Sequence, residues 1–534
     1  MKQIIITIFL FFSLLSVSQN KKIKILNSDI QKTDKEKYFG ATVLLGHVKV
    51  AHEGLLLTCD KAFYFKEKNF LKAIQNVVVN QGDTITQNSD YVDYDANTKK
   101  SISWGNVVVK DPSITLNTDT LYLDRKEQRF YYRSYGTIQD TTNTLKSKVG
   151  NYYLETKKFT ARVNVTVDNE NHFLESNHLN YYTESGHTYL YGPSKVTNKD
   201  NANTIYCERG FYNTKTDISH FVKNAVLFAN ERTIKGDSLF YDKNNGFASA
   251  TNNIKITDTL QNFIAKGNYA ELFEQKDSLF IVKKAVAISM IDKDSMFVHG
   301  DTIMVTGKPE QRIVRTFNNV TIFKNDLQGK CDSIHTDQEK GLTKMFKNPI
   351  LWSDQNQITG DTIHLLSNTK TEKLDSLKVL NNAFIVSKDS ISNNDFNQIK
   401  GRNMFGKFYN NKLKTLLVKG NAESVYFNRN EETKALETIT KEISSNIEFT
   451  LENGQIISIK YLVQSDGKTY PPSIFPNDDR ILKGFVWREN EQPKNKEDIF
   501  TNDNQKKTKD NISKNLEQSR VVSPEESKNV QEQN

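Results

Sequence analysis

The chain has 534 residues, of which 37% are hydrophobic and 25% are charged, and its formal net charge is +8. This length exceeds what one compact core usually supports, and this hydrophobic content excludes wholesale disorder. Because acidic and basic residues are interspersed along the whole chain, the positive balance forms no basic stripe, and we expect no nucleic-acid partner.

Residues 1–18 have the pattern of a secretory signal peptide. Lys2 precedes an apolar run from Ile4 to Leu15, and small residues lead up to Gln19. The run is too short to span a bilayer. We therefore expect export with cleavage near Ser18 and Gln19, and the lack of a cysteine there argues against a lipid anchor.

A short apolar segment that follows a small residue or an asparagine recurs about every 30 residues, and a fixed period of this size is typical of repeat architectures. Its copies begin at Gly46, Gln75, Gly105, Asn224, Asn252, Asn318 and Asn348. In the third copy, for example, the sequence from Gly105 to Val109 is Gly-Asn-Val-Val-Val.

A second motif lies between these copies and contains an aspartate followed by alternating apolar residues. Clear examples start at Ser89, Thr118, Gly236, Gly300 and Gly360. We predict that the shared aspartate accepts backbone N–H bonds at a turn, because a catalytic carboxylate is needed once rather than in every repeat.

Both motifs alternate with period two and are rich in β-branched and aromatic residues, which predicts β-strands. Alternate apolar residues then share the inward face of a sheet. Short repeats stack so that each covers its neighbour. We therefore predict an all-β fold, in which residues 19–438 form an elongated, twisted, solenoid-like array.

The pattern changes near residue 439. Two apolar segments flank Asn453-Gly454, which is a hairpin signal, and prolines follow at 471, 472 and 476. We interpret residues 439–487 as a C-terminal β cap. Residues 488–534 are charged and poor in aromatic residues, which predicts a disordered tail.

No motif of nucleophilic, metal-dependent or nucleotide chemistry is present, so we predict no catalytic residue, no metal site and no cofactor. Cys59, Cys207 and Cys331 are too far apart in sequence to indicate a disulfide framework or a zinc site, and burial is the simpler interpretation. His172 and His178 would lie about 20 Å apart on one strand, too far to share a metal.

The two alternating motifs resemble those of the OstA-like family, which includes LptA and the N-terminal domain of LptD. The best match is Gly105–Val109 followed by Thr118–Asp124, and the resemblance covers about residues 22–430, either as one array or as two consecutive OstA-like modules. It implies an open β-jellyroll in the periplasm whose apolar groove holds the acyl chains of lipopolysaccharide. It also implies partner jellyroll proteins that pair edge to edge on the way to the outer membrane.

On this hypothesis the protein is a non-enzymatic lipid carrier, and the inward residues of the motifs are the candidates for the groove lining. These candidates are Val48, Val50, Val77, Val79, Val107, Val109, Leu121, Leu239, Tyr241, Ile254, Ile256, Val320 and Ile322. The alternatives are a structural or adhesive exported β-solenoid with a filled core, and a carbohydrate-active β-solenoid enzyme. The second alternative needs a non-repeating carboxylate cluster, which we do not find in the sequence.

Overall fold

The computed structural model describes residues 21–501, except residues 35, 230, 261, 292, 293, 309, 310, 354, 372, 390, 393, 431, 453 and 454. The predicted signal peptide and the Asn453-Gly454 turn therefore lie outside the described residues. The chain divides into an N-terminal unit, Met1–Asn230, and a C-terminal unit, Glu231–Asn534. Within the described residues, no helix is long and apolar enough to cross a membrane.

Antiparallel strands make up the N-terminal unit. They are β1 (Lys24–Asn27), β2 (Ile30–Thr33), β3 (Thr42–His52), β4 (Leu55–Phe65), β5 (Phe70–Gln81), β6 (Ile85–Asp95), β7 (Lys100–Asp111), β8 (Ile114–Asp124), β9 (Arg129–Tyr132), β10 (Gly136–Gln139), β11 (Thr144–Ser147), β12 (Val149–Tyr153), β13 (Lys158–Asp168), β14 (His172–Tyr182), β15 (His187–Asn198), β16 (Thr204–Asn213) and β17 (Ile218–Ala229).

The C-terminal unit also consists of antiparallel strands. Its strands are β18 (Arg232–Asp242), β19 (Phe247–Asp258), β20 (Phe263–Phe273), β21 (Ser278–Ile291), β22 (Asp294–Thr306), β23 (Ile313–Lys324), β24 (Leu327–Asp337), β25 (Leu342–Phe346), β26 (Ile350–Ser353), β27 (Asn356–Thr359), β28 (Thr362–Ser367), β29 (Leu374–Lys388), β30 (Phe396–Tyr409), β31 (Lys412–Arg429), β32 (Leu436–Glu452), β33 (Gln455–Leu462) and β34 (Asp466–Tyr470). Short 3₁₀ turns occur at Glu274–Lys276, Asn477–Asp479, Glu489–Glu491 and Asp498–Phe500.

Most strands pair with the strands before and after them in sequence, so each unit is an antiparallel ladder of successive hairpins. The predicted all-β fold class is confirmed. The strands are longer than the sequence motifs indicated. The Gly-Asn or Asn-Asn motif, which we expected to introduce a strand, lies in the middle of one: Gln75 and Asn76 interrupt β5.

Each of these central positions is a corner made by two consecutive residues with positive φ. In β5 the φ angles are +65° at Gln75 and +50° at Asn76, and the pairing register with β4 shifts there. Left-handed backbone favours glycine and asparagine, which explains the composition of the motif. The corners are Gly46–His47, Gln75–Asn76, Gly105–Asn106, Val163–Asn164, Lys223–Asn224, Asn252–Asn253, Lys283–Lys284, Asn318–Asn319, Lys347–Asn348, Asn381–Asn382 and Gly420–Asn421.

The two sequence motifs meet at these corners. The side-chain amide of Asn106 donates to the carboxylate of Asp90 at 2.9 Å, and that of Asn253 donates to Asp237 at 3.0 Å. The same contact joins Asn76 to Asp60, Asn224 to Glu208 and Asn382 to Asp361. The motif aspartate therefore accepts a side-chain N–H from the next strand, where we had predicted backbone donors. Backbone N–H groups bond instead to the aspartates that end strands, such as Asp95 and Asp124.

The glycine before the motif aspartate has a steric cause. A Cβ on Gly360 would lie 2.5 Å from Cγ1 of Val379, and one on Gly300 would lie 2.5 Å from Cγ2 of Thr316. At these two positions a side chain would clash with the neighbouring strand, whereas Ser89 and Thr118 occupy the same place in other copies of the motif.

The corners fold each long strand back on itself. The strand pairing places Tyr94 beside Leu71, Leu71 beside Tyr64, and Tyr64 beside Thr42. Thr42 lies at one end of β3, and His52 lies at the other end. A straight β3 would keep Thr42 and His52 about 33 Å apart. Instead, the hydroxyl of Tyr94 lies 2.6 Å from Nδ1 of His52.

The halves of the long strands thus form two sheets that face each other. We call the sheet containing Phe70–Ile74 and its counterparts sheet A, and the sheet containing Val77–Gln81 and its counterparts sheet B. The line opposite the corners, where the loops of the two sheets meet, is called the mouth. This arrangement is a two-sheet β-jellyroll.

The end of the described chain differs from the sequence prediction. Residues 436–470 continue the ladder as β32, β33 and β34 rather than capping it. Residues 471–501, called the strap, run across the outer face of sheet B. Phe475 and Leu482 are buried against Val425 and Ile439, and the ring of Phe500 lies 4.7 Å from that of His299. The predicted tail boundary at 488 is therefore too early, since 488–501 pack against the sheet.

Two fully buried glutamines attach the strap to sheet B. The side chain of Gln398 donates to the carbonyl of Arg480 and accepts from the backbone N–H of Leu482. Gln357 bonds the carbonyl of Val486 and the N–H of Arg488 in the same way. Each amide side chain thus replaces the hydrogen bonds that a neighbouring strand would supply, which satisfies buried backbone groups.

We predict that Asn106→Ala lowers the free energy of unfolding by about 1–2 kcal/mol, because alanine disfavours a positive φ and cannot bond Asp90. Asn106→Gly loses only the hydrogen bond and should cost less. Urea denaturation measures both variants. Equal losses for alanine and glycine would show that the backbone conformation at the corner contributes nothing.

We also predict that the double variant Gln357→Leu, Gln398→Leu releases the strap, because four backbone groups of the strap lose their partners. Hydrogen exchange within residues 471–501 should accelerate by an order of magnitude or more. Gln87→Leu is the matched control, since this buried glutamine bonds Ser103 in the N-terminal unit. Unchanged exchange in the double variant would mean that apolar packing alone holds the strap.

Candidate functional site: the space between the two sheets

The inner faces of the two sheets pack directly against each other in the first strands of the N-terminal unit. Val50 and Leu57 of sheet B join Leu71, Val92 and Tyr94 of sheet A in one cluster whose members are almost completely buried. Large side chains from both sides fill the interior here. This part of the jellyroll is a closed core in the structure.

The candidate residues of the N-terminal unit lie inside this unit. Val48, Val50, Val77 and Val79 belong to the cluster, and Val107, Val109 and Leu121 are also buried. The sequence therefore placed them on the correct face. Contact with a lipid stays a prediction for each of them, and it requires the two sheets to separate.

The interior of the C-terminal unit is different between β18 and β23. Small residues dominate its buried inner positions: Ala250, Ala265, Ala270, Ala285 and Ala287. The larger inner side chains around them, including Leu239, Ile256, Leu279 and Val305, pack against this cluster but are only half-buried. Because these side chains face the opposite sheet and still contact solvent, solvent reaches the space between the sheets here. We call this space the groove.

The candidates of the C-terminal unit divide between the groove and the closed interior. Leu239, Tyr241 and Ile256 are half-buried, whereas Ile254, Val320 and Ile322 are buried. A further inter-sheet cavity of about 150 Å³ lies near Ile399, Ser424, Phe449 and Ile459. Sequence reasoning missed these residues because their motif copies are weak.

An apolar concavity on the outer face of sheet A was also missed. It has a volume of about 690 Å³ and is lined by Tyr269, Phe273, Phe280, Val282 and Met304. The pairing register shows that these side chains project from the other face of the sheet than the inner residues Ala270 and Ile281. Aromatic residues at alternate positions on the outward face are the sequence signal that could have predicted this concavity. This concavity lies outside the space between the sheets.

Polar contacts join the loops of the two sheets across the mouth of the N-terminal unit. The ammonium of Lys99 lies 2.5 Å from the carboxylate of Glu53, and that of Lys157 lies 2.7 Å from Asp111. The hydroxyl of Tyr181 donates to Asp140 at 2.7 Å. Such contacts hold the mouth closed.

The environment of the mouth shifts the pKa values of these groups. Burial by itself would raise the pKa of Asp111, but the adjacent Lys157 ammonium and the Ser113 donors hold it below its usual range. A hydrogen bond from Lys99 lowers the pKa of Glu53. Both carboxylates are therefore charged at neutral pH, so the ion pairs are intact there.

Cys59, Cys207 and Cys331 are buried free thiols, and burial raises their pKa values. Raised thiol pKa values disfavour the reactive thiolate. Among the residues that the structure describes, no group of three or more His, Cys, Asp or Glu side chains is placed to hold a metal ion.

Comparison with protein families finds one match in each unit. Residues 20–177 match the model described as OstA-like protein, and residues 276–372 match the model described as LptA/(LptD N-terminal domain) LPS transport protein. These two segments of the chain are therefore similar to the OstA-like and LptA proteins. A search of curated proteins returned no match.

Among solved structures, the chain is similar to LptH from Pseudomonas aeruginosa, which is described as the LptA homologous periplasmic component of the conserved lipopolysaccharide transport device. The identity is 18%, and the alignment covers 22% of this chain and 82% of that chain with a TM-score of 0.20.

The buried His52 provides a pH test of the mouth. Burial lowers its pKa, so the fold favours the neutral imidazole. A histidine whose pKa is lowered by folding stabilises the protein at pH values above its unfolded-state pKa of about 6.5. This contribution is lost as the pH falls through the pKa of the folded state. We predict that stability falls between pH 7.5 and 5.5, and that His52→Gln reduces this dependence. Equal pH dependence in the wild-type protein and in His52→Gln would contradict the prediction.

Proposed function

We propose that this protein is a periplasmic carrier that holds the acyl chains of lipopolysaccharide between its two sheets during transport toward the outer membrane. The observation that carries the proposal is the half-buried apolar inner face of β18–β23. Each acyl CH₂ exposed to water costs about 0.8 kcal/mol, so transport through an aqueous compartment needs a shielded apolar surface. The groove supplies such a surface without a chemical step.

The two family matches support the same proposal. Export through the predicted signal peptide would place the protein in the periplasm. Sheet edges with free N–H and C=O groups can pair with another chain, so other jellyroll transport proteins are the expected partners.

The alternative function is a structural or adhesive β-solenoid with a filled core and no lipid ligand. The closed interior of the N-terminal unit favours it, because Leu71 and Tyr94 leave little space between the sheets there. The half-buried lining of the C-terminal unit favours the carrier. A test of lipid contact separates the two functions.

We predict that a photo-crosslinking residue at Ile256 forms an adduct with lipopolysaccharide in cells, whereas one at Lys255 does not. These neighbours share one strand and project to opposite faces, and Lys255 is exposed. Immunoblotting for lipopolysaccharide measures the adduct. Equal yields at the two positions, or no adduct at any inner position of a folded protein, would favour the solenoid without lipid.

A further inference from the structure

Two cations from the loops of sheet A converge on one turn of sheet B in the N-terminal unit. The ammonium of Lys99 pairs with the carboxylate of Glu53. The guanidinium of Arg125 donates from Nη2 to the carbonyl of Glu53 at 2.7 Å and from Nη1 to the carbonyl of His52 at 3.3 Å. Residues far apart in sequence thus place two positive charges at one point of the mouth.

Among the residues that the structure describes, Arg125 has no anionic partner. Its third acceptor is the hydroxyl of Tyr94 at 3.1 Å, so every acceptor is neutral. Its Nε is buried and has no hydrogen-bond partner in the described structure. A guanidinium presents a planar fork of donors that matches the oxygens of a phosphate or carboxylate. Arg125 therefore carries a charge that only neutral acceptors bind, and an anion could replace these acceptors if the loops of the mouth separated.

The interior beneath these groups is apolar. Val50 and Leu57 are buried directly behind the turn that Arg125 holds. An acyl chain can enter there only if the loops separate, which breaks the contacts of Lys99 and Arg125. The Lys99–Glu53 pair is partly exposed, with 31% and 24% of the side chains accessible, so it contributes little to stability.

The neighbouring Lys157–Asp111 pair is more deeply buried than the Lys99–Glu53 pair. The Asp111 side chain is only 1% exposed and also accepts hydrogen bonds from Ser113. Separating a buried ion pair leaves an uncompensated charge, which strongly destabilises a protein. This pair is suited to hold the mouth together, whereas the Lys99 and Arg125 contacts are suited to open.

We propose that Lys99 and Arg125 form a phosphate-binding site for an anionic lipid whose acyl chains enter the N-terminal unit. The lipid phosphate replaces the Glu53 carboxylate on Lys99 and the neutral acceptors on Arg125, while the acyl chains separate the two sheets behind them. This inference rests on the proposed function and specifies the headgroup chemistry that the N-terminal unit recognises.

The test uses the full-length mature protein with a photo-crosslinking residue at Ile25, which packs at the edge of the N-terminal core, or at Ile256 in the groove. The probes are lipopolysaccharide, lipid A with and without its phosphate groups, and inorganic phosphate as a competitor. Lys99→Gln combined with Arg125→Gln should lower the adduct at Ile25 at least tenfold and leave the adduct at Ile256 unchanged. Removing the lipid phosphates should have the same effect.

Glu53→Gln removes the competing carboxylate and should raise the adduct at Ile25 several-fold with phosphorylated lipid A only, whereas a loosened fold would raise it with dephosphorylated lipid A as well. Arg133→Gln is the control, because this exposed cation stacks over Tyr131. Equal adducts from phosphorylated and dephosphorylated lipid A would overturn the site. Inorganic phosphate that competes as well as the lipid would overturn the lipid assignment. If wild-type protein forms no adduct at either position, the proposed function itself fails.

Discussion

The contact on which the fold depends is the hydrogen bond between the asparagine of one corner and the acidic side chain of the preceding strand. In four copies the acceptor lies sixteen residues before the donor, as for Asn106 and Asp90. Two residues with positive φ bend the strand, and the side-chain contact fixes that bend to the neighbouring bend. Repetition of this pair turns a simple antiparallel ladder into two facing sheets with a mouth.

Because the corners fix the backbone, the size of the inner side chains decides whether the interior is closed or open. Leu71 and Tyr94 fill the space in the N-terminal unit, whereas Ala265 and Ala285 leave room in the C-terminal unit. The same scaffold can therefore form a core or a groove by substitution at inner positions alone. A change of side-chain volume at the inner positions alters the packing between the sheets. It does not disturb the corners, because the contacts of the corners lie at the edge of the sheets opposite the mouth.

The sequence predicted the fold class, the period and the inward face of residues such as Val107, because these depend on local alternation and turn composition. It could not join the two motifs into one corner, since that contact needs the pairing register. The strap was missed because Phe475, Leu482 and Phe485 follow no period. The contacts of Arg125 with the His52–Glu53 turn were missed because they join loops more than seventy residues apart.

The strap of the C-terminal unit and the mouth contacts of the N-terminal unit restrain the sheets of their own units in different ways. The strap covers the outer face of sheet B and holds several strands of the C-terminal unit as one surface, so it restricts bending of that sheet without occupying the groove. The mouth contacts of the N-terminal unit act between the sheets, and partly exposed ion pairs there exchange partners at little cost. Within the N-terminal unit, such an exchange is what the proposed phosphate site requires, since the loops must separate before a charged headgroup can replace Glu53 at the mouth.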